Sequence, residues 1–116
     1  MTILSVKTIV GEVCMTREDG QKLHDHYRGL LDAGEMVKLD FAGTTTFVSA
    51  FFNTAVGQLL RDYTRDQLKT RLLFANVPAA ATRPLQRSIE QAERYYSDSN
   101  YRATLERVQA EQSELV

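Results

Sequence analysis

The amino-acid sequence predicts an α/β fold in which helices pack on a mostly parallel sheet of four to five strands. The first observation is size, since 116 residues suffice for one domain with one hydrophobic core. The second is composition, because 43% hydrophobic and 25% charged residues are typical of a globular chain. The third is order, since β-favouring segments alternate with segments of helical apolar spacing, as in parallel sheets.

The N-terminal third contains two predicted strands and the first long helix. Residues 3–10 are rich in β-branched side chains and predict an edge strand. Residues 13–15 predict a short second strand that pairs back against the first. Apolar residues then recur at helical spacing over residues 17–33. Thr16 is expected to cap this helix, and Gly34 is expected to end it.

The middle of the chain predicts two further strands and the second helix. Residues 36–41 form a short apolar run between turn signals, which predicts a central strand. Residues 44–48 favour β structure and lead to Ser49, the expected N-cap of the second helix. The apolar stripe of that helix continues to Tyr63. Residues 69–75 predict another buried strand.

The C-terminal part predicts a third helix that opens at Thr82. Pro84 then stands in the first turn, where its missing N–H leaves no helical bond unmade. Apolar spacing within residues 101–108 indicates a short last helix. The expected organisation is one domain over residues 1–96, with residues 97–116 forming a C-terminal helix or tail that packs on it or extends from it.

Charge, cysteine content and hydropathy narrow the function classes. Fourteen basic and fifteen acidic side chains give a net charge of −1, so no global field attracts nucleic acid or an anionic membrane. The lone Cys14 excludes an intramolecular disulfide. The N-terminus does not resemble a signal peptide, and no apolar stretch approaches the roughly 18 residues of a membrane span. We therefore expect a cytoplasmic protein.

A resemblance to a known family rests on the stretch VKLDFAGTTTFVSAFFN at residues 37–53. It resembles the core of STAS domains, which include the bacterial anti-sigma-factor antagonists. The closer similarity is to a bacterial STAS-like family of unknown function, which also resembles this chain in the TREDG segment at residues 16–20. The resemblance covers roughly residues 3–96 and implies a STAS-like fold.

The resemblance also implies a function. By this resemblance the chain is expected to be a non-catalytic protein-interaction module in bacterial regulatory signalling. The implied partner is a protein, and an ATPase of the histidine-kinase type is the class that the family suggests. It would dock on the loop at residues 43–48 and on the start of the second helix. The expected partner-binding side chains are Thr46, Ser49, Phe51 and Asn53.

The sequence departs from the antagonist pattern at the start of the second helix. Antagonists have Asp-Ser-Ser-Gly or Asp-Ser-Thr-Gly there, and a partner kinase phosphorylates a hydroxyl in it. Here the stretch reads SAFF at residues 49–52, so the family hydroxyl falls at Ala50 or Phe51, neither of which can accept phosphate. Ser49 is the remaining candidate for phosphorylation, and its alternative role is that of a helix cap.

Two adjacent aromatic residues in the same helix are assigned different positions. Phe52 shares a helical face with the apolar stripe and is expected in the core. Neighbours on a helix lie about 100° apart, so Phe51 is a candidate exposed anchor for a partner. The alternative is that Phe51 packs under the loop at Phe47.

A second function class would be a sensor that binds a small ligand or nucleotide. Arg17 and Asp40 are the candidate pocket residues, because Asp40 ends a strand where open α/β sheets tend to bind ligands. Arg17 could pair with Asp40, or it could be a surface arginine. Asp40 could instead bond the backbone N–H of Gly43 or Thr44.

No motif indicates catalysis, a metal or a cofactor. The chain has no phosphate-binding glycine loop and no nucleophile elbow, and no nucleophile stands beside a suitable base. His24 and His26 are two residues apart, which places them about 200° apart on a helix instead of on one face. We therefore expect no catalytic residue, no metal ligand and no cofactor.

Overall fold

The computed structural model describes residues 1–97 of the chain. This part of the chain contains five strands, five α-helices and one 3-10 helix, which follows the third α-helix. The elements are β1 Thr2–Ser5, α1 Val6–Ile9, β2 Val13–Cys14, α2 Arg17–Asp32, β3 Val37–Asp40, β4 Thr46–Phe47, α3 Ser49–Ala55, the 3-10 helix Gly57–Arg61, α4 Arg65–Arg71, β5 Leu72–Ala75 and α5 Ala79–Ser97.

The strands form two separate parallel sheets. The larger sheet has the order β1-β3-β5, and its register aligns Leu4, Leu39 and Phe74 in one row. The smaller sheet pairs β2 with β4. The predicted α/β fold with a parallel sheet and an edge N-terminal strand is confirmed. The described residues contain three plus two strands in two sheets, in place of one sheet of four to five strands.

The first predicted strand is wrong beyond Ser5. The Ser5 side-chain oxygen accepts a hydrogen bond from the Thr8 N–H at 3.2 Å, which caps the short helix α1. Val6 is fully buried at the start of that helix. Local capping and burial thus override the β-branched composition of this segment. The second strand exists, but it pairs with β4 and not with the first strand.

The first long helix has the ends that the sequence predicts. The Thr16 hydroxyl oxygen accepts from the Asp19 N–H at 3.0 Å, and α2 begins at the next residue. At the other end Gly34 has a φ of +86°, which glycine adopts at little cost. The Glu35 N–H then donates to the Leu30 carbonyl at 2.9 Å, as is typical of glycine-terminated helices.

The second predicted helix is interrupted before Tyr63. Helix α3 ends at Ala55, and Val56 has a φ of −130° that is outside the helical range. The chain continues as the 3-10 helix. The Tyr27 hydroxyl of α2 donates to the Ala55 carbonyl at the C-terminal end of α3. A buried side chain of another element therefore stabilises an interruption that the apolar stripe does not reveal.

The predicted strand at residues 69–75 begins three residues too early. Thr64 and Gln67 form a reciprocal capping box, in which the Thr64 N–H donates to Gln67 Oε1 at 2.8 Å and the Gln67 N–H donates to Thr64 Oγ1 at 3.2 Å. This box starts α4, which extends through Arg71. The strand β5 starts at Leu72. The Thr-x-x-Gln spacing was the sequence signal for this helix.

The third long helix starts before the predicted position at Thr82. Helix α5 starts at Ala79, so Pro84 lies inside the helix and not in its first turn. Proline removes the donor to the carbonyl of Ala80, but Ala80 is exposed and water can reach that acceptor. No helix of residues 1–97 is both long enough and apolar enough to cross a membrane. The predicted last helix at residues 101–108 and the predicted tail lie outside the described residues.

The core places the start of α3 over the end of β3. The Phe41 ring, fully buried directly after β3, lies 6.1 Å from the Phe52 ring and 6.3 Å from the rings of Phe47 and Phe74. Phe47 and Phe52 stack at 5.9 Å with 13° between their planes. One aromatic cluster, Phe41, Phe47, Phe52 and Phe74, therefore joins both sheets to α3 and fixes the loop between them.

Candidate functional site

The smaller sheet turns one face to the core and one to solvent. Along β2 the exposed fraction is 47% for Val13, 0% for Cys14 and 45% for Met15. Val13 pairs with Thr46, which is also exposed, and Cys14 pairs with the partly buried Phe47. Side chains of paired residues lie on the same side of a sheet. Val13, Met15 and Thr46 therefore form one exposed surface, which we call the β2–β4 face.

The chain leads from this face directly into α3. The Val48 N–H donates to the Cys14 carbonyl at 3.1 Å, which attaches the residue before α3 to β2. Asn53 is exposed on α3, and the Thr54 hydroxyl donates to the Arg17 carbonyl at 2.8 Å. Of the predicted partner-binding residues, Thr46 and Asn53 are thus at the surface. The apolar members of the face, Val13 and Met15, were not among the predicted site residues.

Ser49 does not cap the second helix. The N-cap is Val48, whose backbone is extended and whose side chain makes no capping hydrogen bond. Ser49 is the first helical residue and is partly buried. Its backbone carbonyl accepts from the Ser88 hydroxyl of α5 at 3.3 Å. The cap prediction is therefore wrong, and the predicted phosphorylation of the Ser49 hydroxyl stays a prediction.

Phe51 is not an exposed anchor. Phe51 and Phe52 are both fully buried, and their rings meet edge to face at 5.2 Å. Helix α3 is covered on two sides, because Phe52 stacks on Phe47 while α2 approaches the opposite flank at Gly20. A helix with two covered sides buries a wider arc than one apolar stripe. The burial of Phe51 agrees with the alternative that it packs inward, and the ring that stacks directly on Phe47 is that of Phe52.

Asp40 connects the ends of two parallel strands. Its Oδ1 atom accepts from the Asn76 side-chain amide at 3.0 Å and from the Ala42 N–H at 3.0 Å. These two bonds, the Asn76 bond first, lower the pKa of the Asp40 carboxyl below its ordinary value. Asn76 follows β5 with a φ of +53°, a conformation that asparagine tolerates. The predicted turn bond exists, but its donor is Ala42 and not Gly43 or Thr44.

Arg17 and Asp40 do not form one pocket. No ion pair joins Arg17 to Asp40 in the described chain. Arg17 instead lies in an open groove of about 790 Å³ between α2, α3 and α5. Among residues 1–97 no carboxylate lines this groove, and its walls are polar and apolar in about equal parts. The lining residues are Arg17, Gln21, Asn53, Thr54, Gly57, Gln58, Ser88, Gln91, Ala92, Arg94, Tyr95 and Tyr96.

The single thiol is protected by the smaller sheet. Cys14 is fully buried on the core side of β2. Burial, with a smaller contribution from the Asp19 carboxylate, raises the pKa of the Cys14 thiol to about 11. The reactive thiolate is therefore scarce at neutral pH.

We expect Cys14 to react with a thiol-specific disulfide reagent only when the fold opens. At pH 8 the native protein should react at least about 100-fold more slowly than the protein in 6 M guanidinium, because both burial and the raised pKa suppress the thiolate. Absorbance of the released thiol product measures both rates. Fast labelling of the native protein, at the rate of a small free thiol, would contradict the buried position.

The two histidines of α2 lie in different environments. His24 is 5% exposed, and its ring meets the Tyr27 ring edge to face at 5.7 Å, whereas His26 is exposed. The Nδ1 atom of His24 has no hydrogen-bond partner within residues 1–97. Burial, followed by the positive charge of Arg28, lowers the pKa of His24 below its ordinary value of 6.5. Asp25, Asp32 and a bond to the Ala55 carbonyl act in the opposite direction.

This pKa shift predicts a loss of stability in mild acid. As the pH falls through 6.5 the unfolded chain takes up a proton on His24, while the folded chain keeps that imidazole neutral. The free energy of unfolding should therefore decrease below pH 6.5, until the pH reaches the lowered folded pKa. Urea titrations between pH 7.5 and 5 measure this change in the free energy of unfolding. His24→Gln should flatten this part of the profile, and an unchanged profile for His24→Gln would contradict the prediction.

The parallel sheets with helices packed on them are those of an α/β domain, and they fit the STAS-like class. The chain belongs to the family of STAS-like domains of unknown function (DUF4325), whose family model matches residues 19–79. The match extends from α2 to the start of α5, and it includes Asp40, Ser49 and Asn53. The resemblance seen in the sequence is thereby confirmed. No curated protein and no solved structure shows a significant match to the chain.

Proposed function

We propose that this chain is a non-catalytic protein-interaction module in bacterial regulatory signalling, and that its partner docks on the β2–β4 face and the first turns of α3. One observation carries the proposal. Val13 and Met15 are each nearly half exposed and lie beside the exposed Thr46. Thr46 belongs to β4, the strand that leads into α3. Adjacent exposed apolar side chains within a polar surround mark interaction sites more often than isolated ones do.

The chemistry of the face fits a reversible protein contact. Val13 supplies a rigid apolar side chain, and Met15 supplies a flexible, polarizable one that adapts to differently shaped partners. Thr46 and Asn53 add hydrogen-bonding groups at the margin. The strands beneath are held by the buried aromatic cluster, so little ordering cost arises when a partner binds. An apolar centre with a polar rim is the usual anatomy of such a contact.

The partner class follows from the family resemblance. Antagonist-type STAS domains bind ATPases of the histidine-kinase type near the start of the corresponding helix, and this chain places its exposed Thr46 and Asn53 in that region. We therefore propose such an ATPase as the partner. Phosphorylation of Ser49 would add charge beside the face and would weaken the contact.

Partner capture tests this function. Tagged protein is purified from lysate of the source cells with and without ATP, and bound proteins and phosphosites are identified by mass spectrometry. We expect one stoichiometric ATPase partner whose recovery depends on ATP. A chain recovered alone under both conditions would reject the interaction module.

Two substitutions locate the contact once a partner is in hand. Val13→Glu and Asn53→Lys should each weaken the complex by about tenfold or more, since each places a charge in the contact. The control is Ile3→Glu, which places a charge on an equally apolar, exposed side chain of the larger sheet. Calorimetric titration gives the dissociation constants. Equal affinity for all three variants would place the contact elsewhere.

The groove that contains Arg17 supports a second candidate function, the sensing of a small anionic ligand. Its lining has arginine and amide groups and no carboxylate, which suits a ligand such as a nucleotide or a dicarboxylate. A ligand that binds only the folded state must raise the unfolding temperature. ATP, GTP and citrate at millimolar concentration are suitable first probes. A shift that Arg17→Glu abolishes would favour this function, and no shift would remove it.

A further inference from the structure

The larger sheet has an outer face on which apolar side chains flank a central lysine. The register aligns Ile3, Lys38 and Leu73 in one row across the three strands. In this row Ile3 is exposed and Lys38 is partly exposed. In the two neighbouring rows Val37 and Leu39 are buried. Because successive side chains point to opposite faces of a strand, the row of Ile3, Lys38 and Leu73 faces away from the core.

The topology explains why this face carries no helix in residues 1–97. The chain passes from β1 to β3 and from β3 to β5, and both steps move in the same direction across the sheet. Right-handed crossovers in one direction place their helices on the same side of a sheet. Helices α2, α3 and α4 therefore share one side, and within residues 1–97 no helix covers the opposite side.

Exposed apolar side chains are concentrated on this outer side. Met1, Ile3 and Met36 are 62%, 60% and 43% exposed. Met1 and Met36 fall on the side of Ile3 and Lys38 by the two-residue period of a strand, and the Thr2 N–H holds the Met36 carbonyl at 2.8 Å. We call Met1, Ile3, Met36, Lys38 and Leu73 the outer sheet face.

We infer that the outer sheet face binds a second copy of this chain in a two-fold symmetric dimer. A two-fold interface uses the same surface on both subunits, so it must be complementary to itself. Lys38 and Asp40 satisfy this condition, since they carry opposite charges two residues apart on the central strand. Antiparallel stacking of two β3 strands sets each Lys38 opposite Asp40 of the second copy, and the apolar side chains pack around them.

Asp40 keeps the capacity for this contact. The two hydrogen bonds that it accepts from described residues both end on Oδ1. A carboxylate has about four acceptor positions over its two oxygens, so Oδ2 can accept from a lysine of the second copy. The inference concerns a surface other than the β2–β4 face and does not depend on the proposed partner.

The size of the face sets the strength of the dimer. Five side chains expose an area on the order of 400 Å² per subunit, about half of what a stable interface buries on each side. We therefore expect a weak, reversible dimer with a dissociation constant of roughly 10–1,000 µM.

Sedimentation equilibrium of the full chain over roughly 5–2,000 µM tests the dimer, because this range brackets the expected dissociation constant. Ile3→Glu and Lys38→Glu should each weaken association by about tenfold or more. Lys38→Glu sets a carboxylate opposite Asp40 of the second copy, and Ile3→Glu places a charge in the apolar part of the contact. Val13→Glu is the matched control, because Val13 is a similarly exposed strand residue outside the outer sheet face. Amide NMR shifts on dilution should be concentrated at Ile3, Lys38 and Leu73.

Each outcome decides the inference. Association that Ile3→Glu and Lys38→Glu reduce and Val13→Glu leaves intact supports it. A monomer over the whole concentration range overturns it, and so does a dimer that Val13→Glu disrupts while Ile3→Glu does not. That last result would place self-association on the β2–β4 face, where it would compete with the proposed partner. Circular dichroism of each variant confirms that the fold is intact.

Discussion

Gly20→Ala is expected to lower the free energy of unfolding by about 3 kcal/mol, because no space exists for a methyl group at this position. A Cβ atom on Gly20 would overlap the Thr54 hydroxyl oxygen and the Phe51 carbonyl oxygen, and it would lie 3.1 Å from the Ala55 nitrogen. Two of these three atoms belong to the backbone of α3. Rotating one side chain therefore cannot relieve the overlap, and α2 must move away from α3.

Gly29 provides a matched control in the same helix. It also lies in α2, but a Cβ atom there meets nothing within 4 Å, and the residue is exposed. Gly29→Ala should stabilise the protein by up to about 1 kcal/mol, because alanine is the better helix former. The same chemical change thus has opposite signs at two positions, and the difference isolates the close approach of α2 and α3.

Urea unfolding followed by circular dichroism measures both glycine variants. The midpoint should fall for Gly20→Ala and rise for Gly29→Ala, with similar denaturant slopes. A Gly20→Ala protein as stable as the parent would show that α2 and α3 are not in the close contact described here. Because Thr54 of α3 also bonds the Arg17 carbonyl, we expect the displaced helix to lose part of the groove beside Arg17.

Local signals predicted the elements whose ends are determined by their own residues. Helix α2 is correct at both ends because Thr16 and Gly34 act within a few residues of themselves. The strand at residues 36–41 is correct because a short apolar run between turns leaves few alternatives. Helix α4 was missed although its capping box is equally local, since the apolar run of β5 drew the strand boundary too far toward the N-terminus.

Tertiary contacts decided what the sequence could not. The interruption after α3 depends on a hydroxyl from α2, which is 28 residues away in the chain. Phe51 is buried because two elements cover α3, and no periodicity within α3 records the second one. Pairing of β2 with β4 is also non-local, so the exposure of Val13 and Met15 could not be read from their composition. The separation of Arg17 from Asp40 also depends on contacts between residues far apart in the chain.

The aromatic cluster should be the most sensitive part of the core. Phe41→Ala is expected to lower the free energy of unfolding by about 4 kcal/mol, since it removes a fully buried ring and leaves a cavity. Rings of Phe47, Phe52 and Phe74 surround the site from three different elements. They cannot all move inward, so the cavity should remain largely unfilled. The free energy of unfolding of a domain of this size is about 5–15 kcal/mol, so the Phe41→Ala variant should be only marginally stable.

Phe41→Leu and Ile3→Ala provide the comparison series for this prediction. Leucine fills part of the cavity and should cost less than half as much, while Ile3→Ala removes an exposed side chain and should change stability by under about 0.5 kcal/mol. Chemical denaturation of the three proteins gives the values. A loss below about 1.5 kcal/mol for Phe41→Ala would contradict the packing. Since Phe41 begins the loop that leads to Thr46, the same variant should also weaken binding on the β2–β4 face, although Phe41 is fully buried.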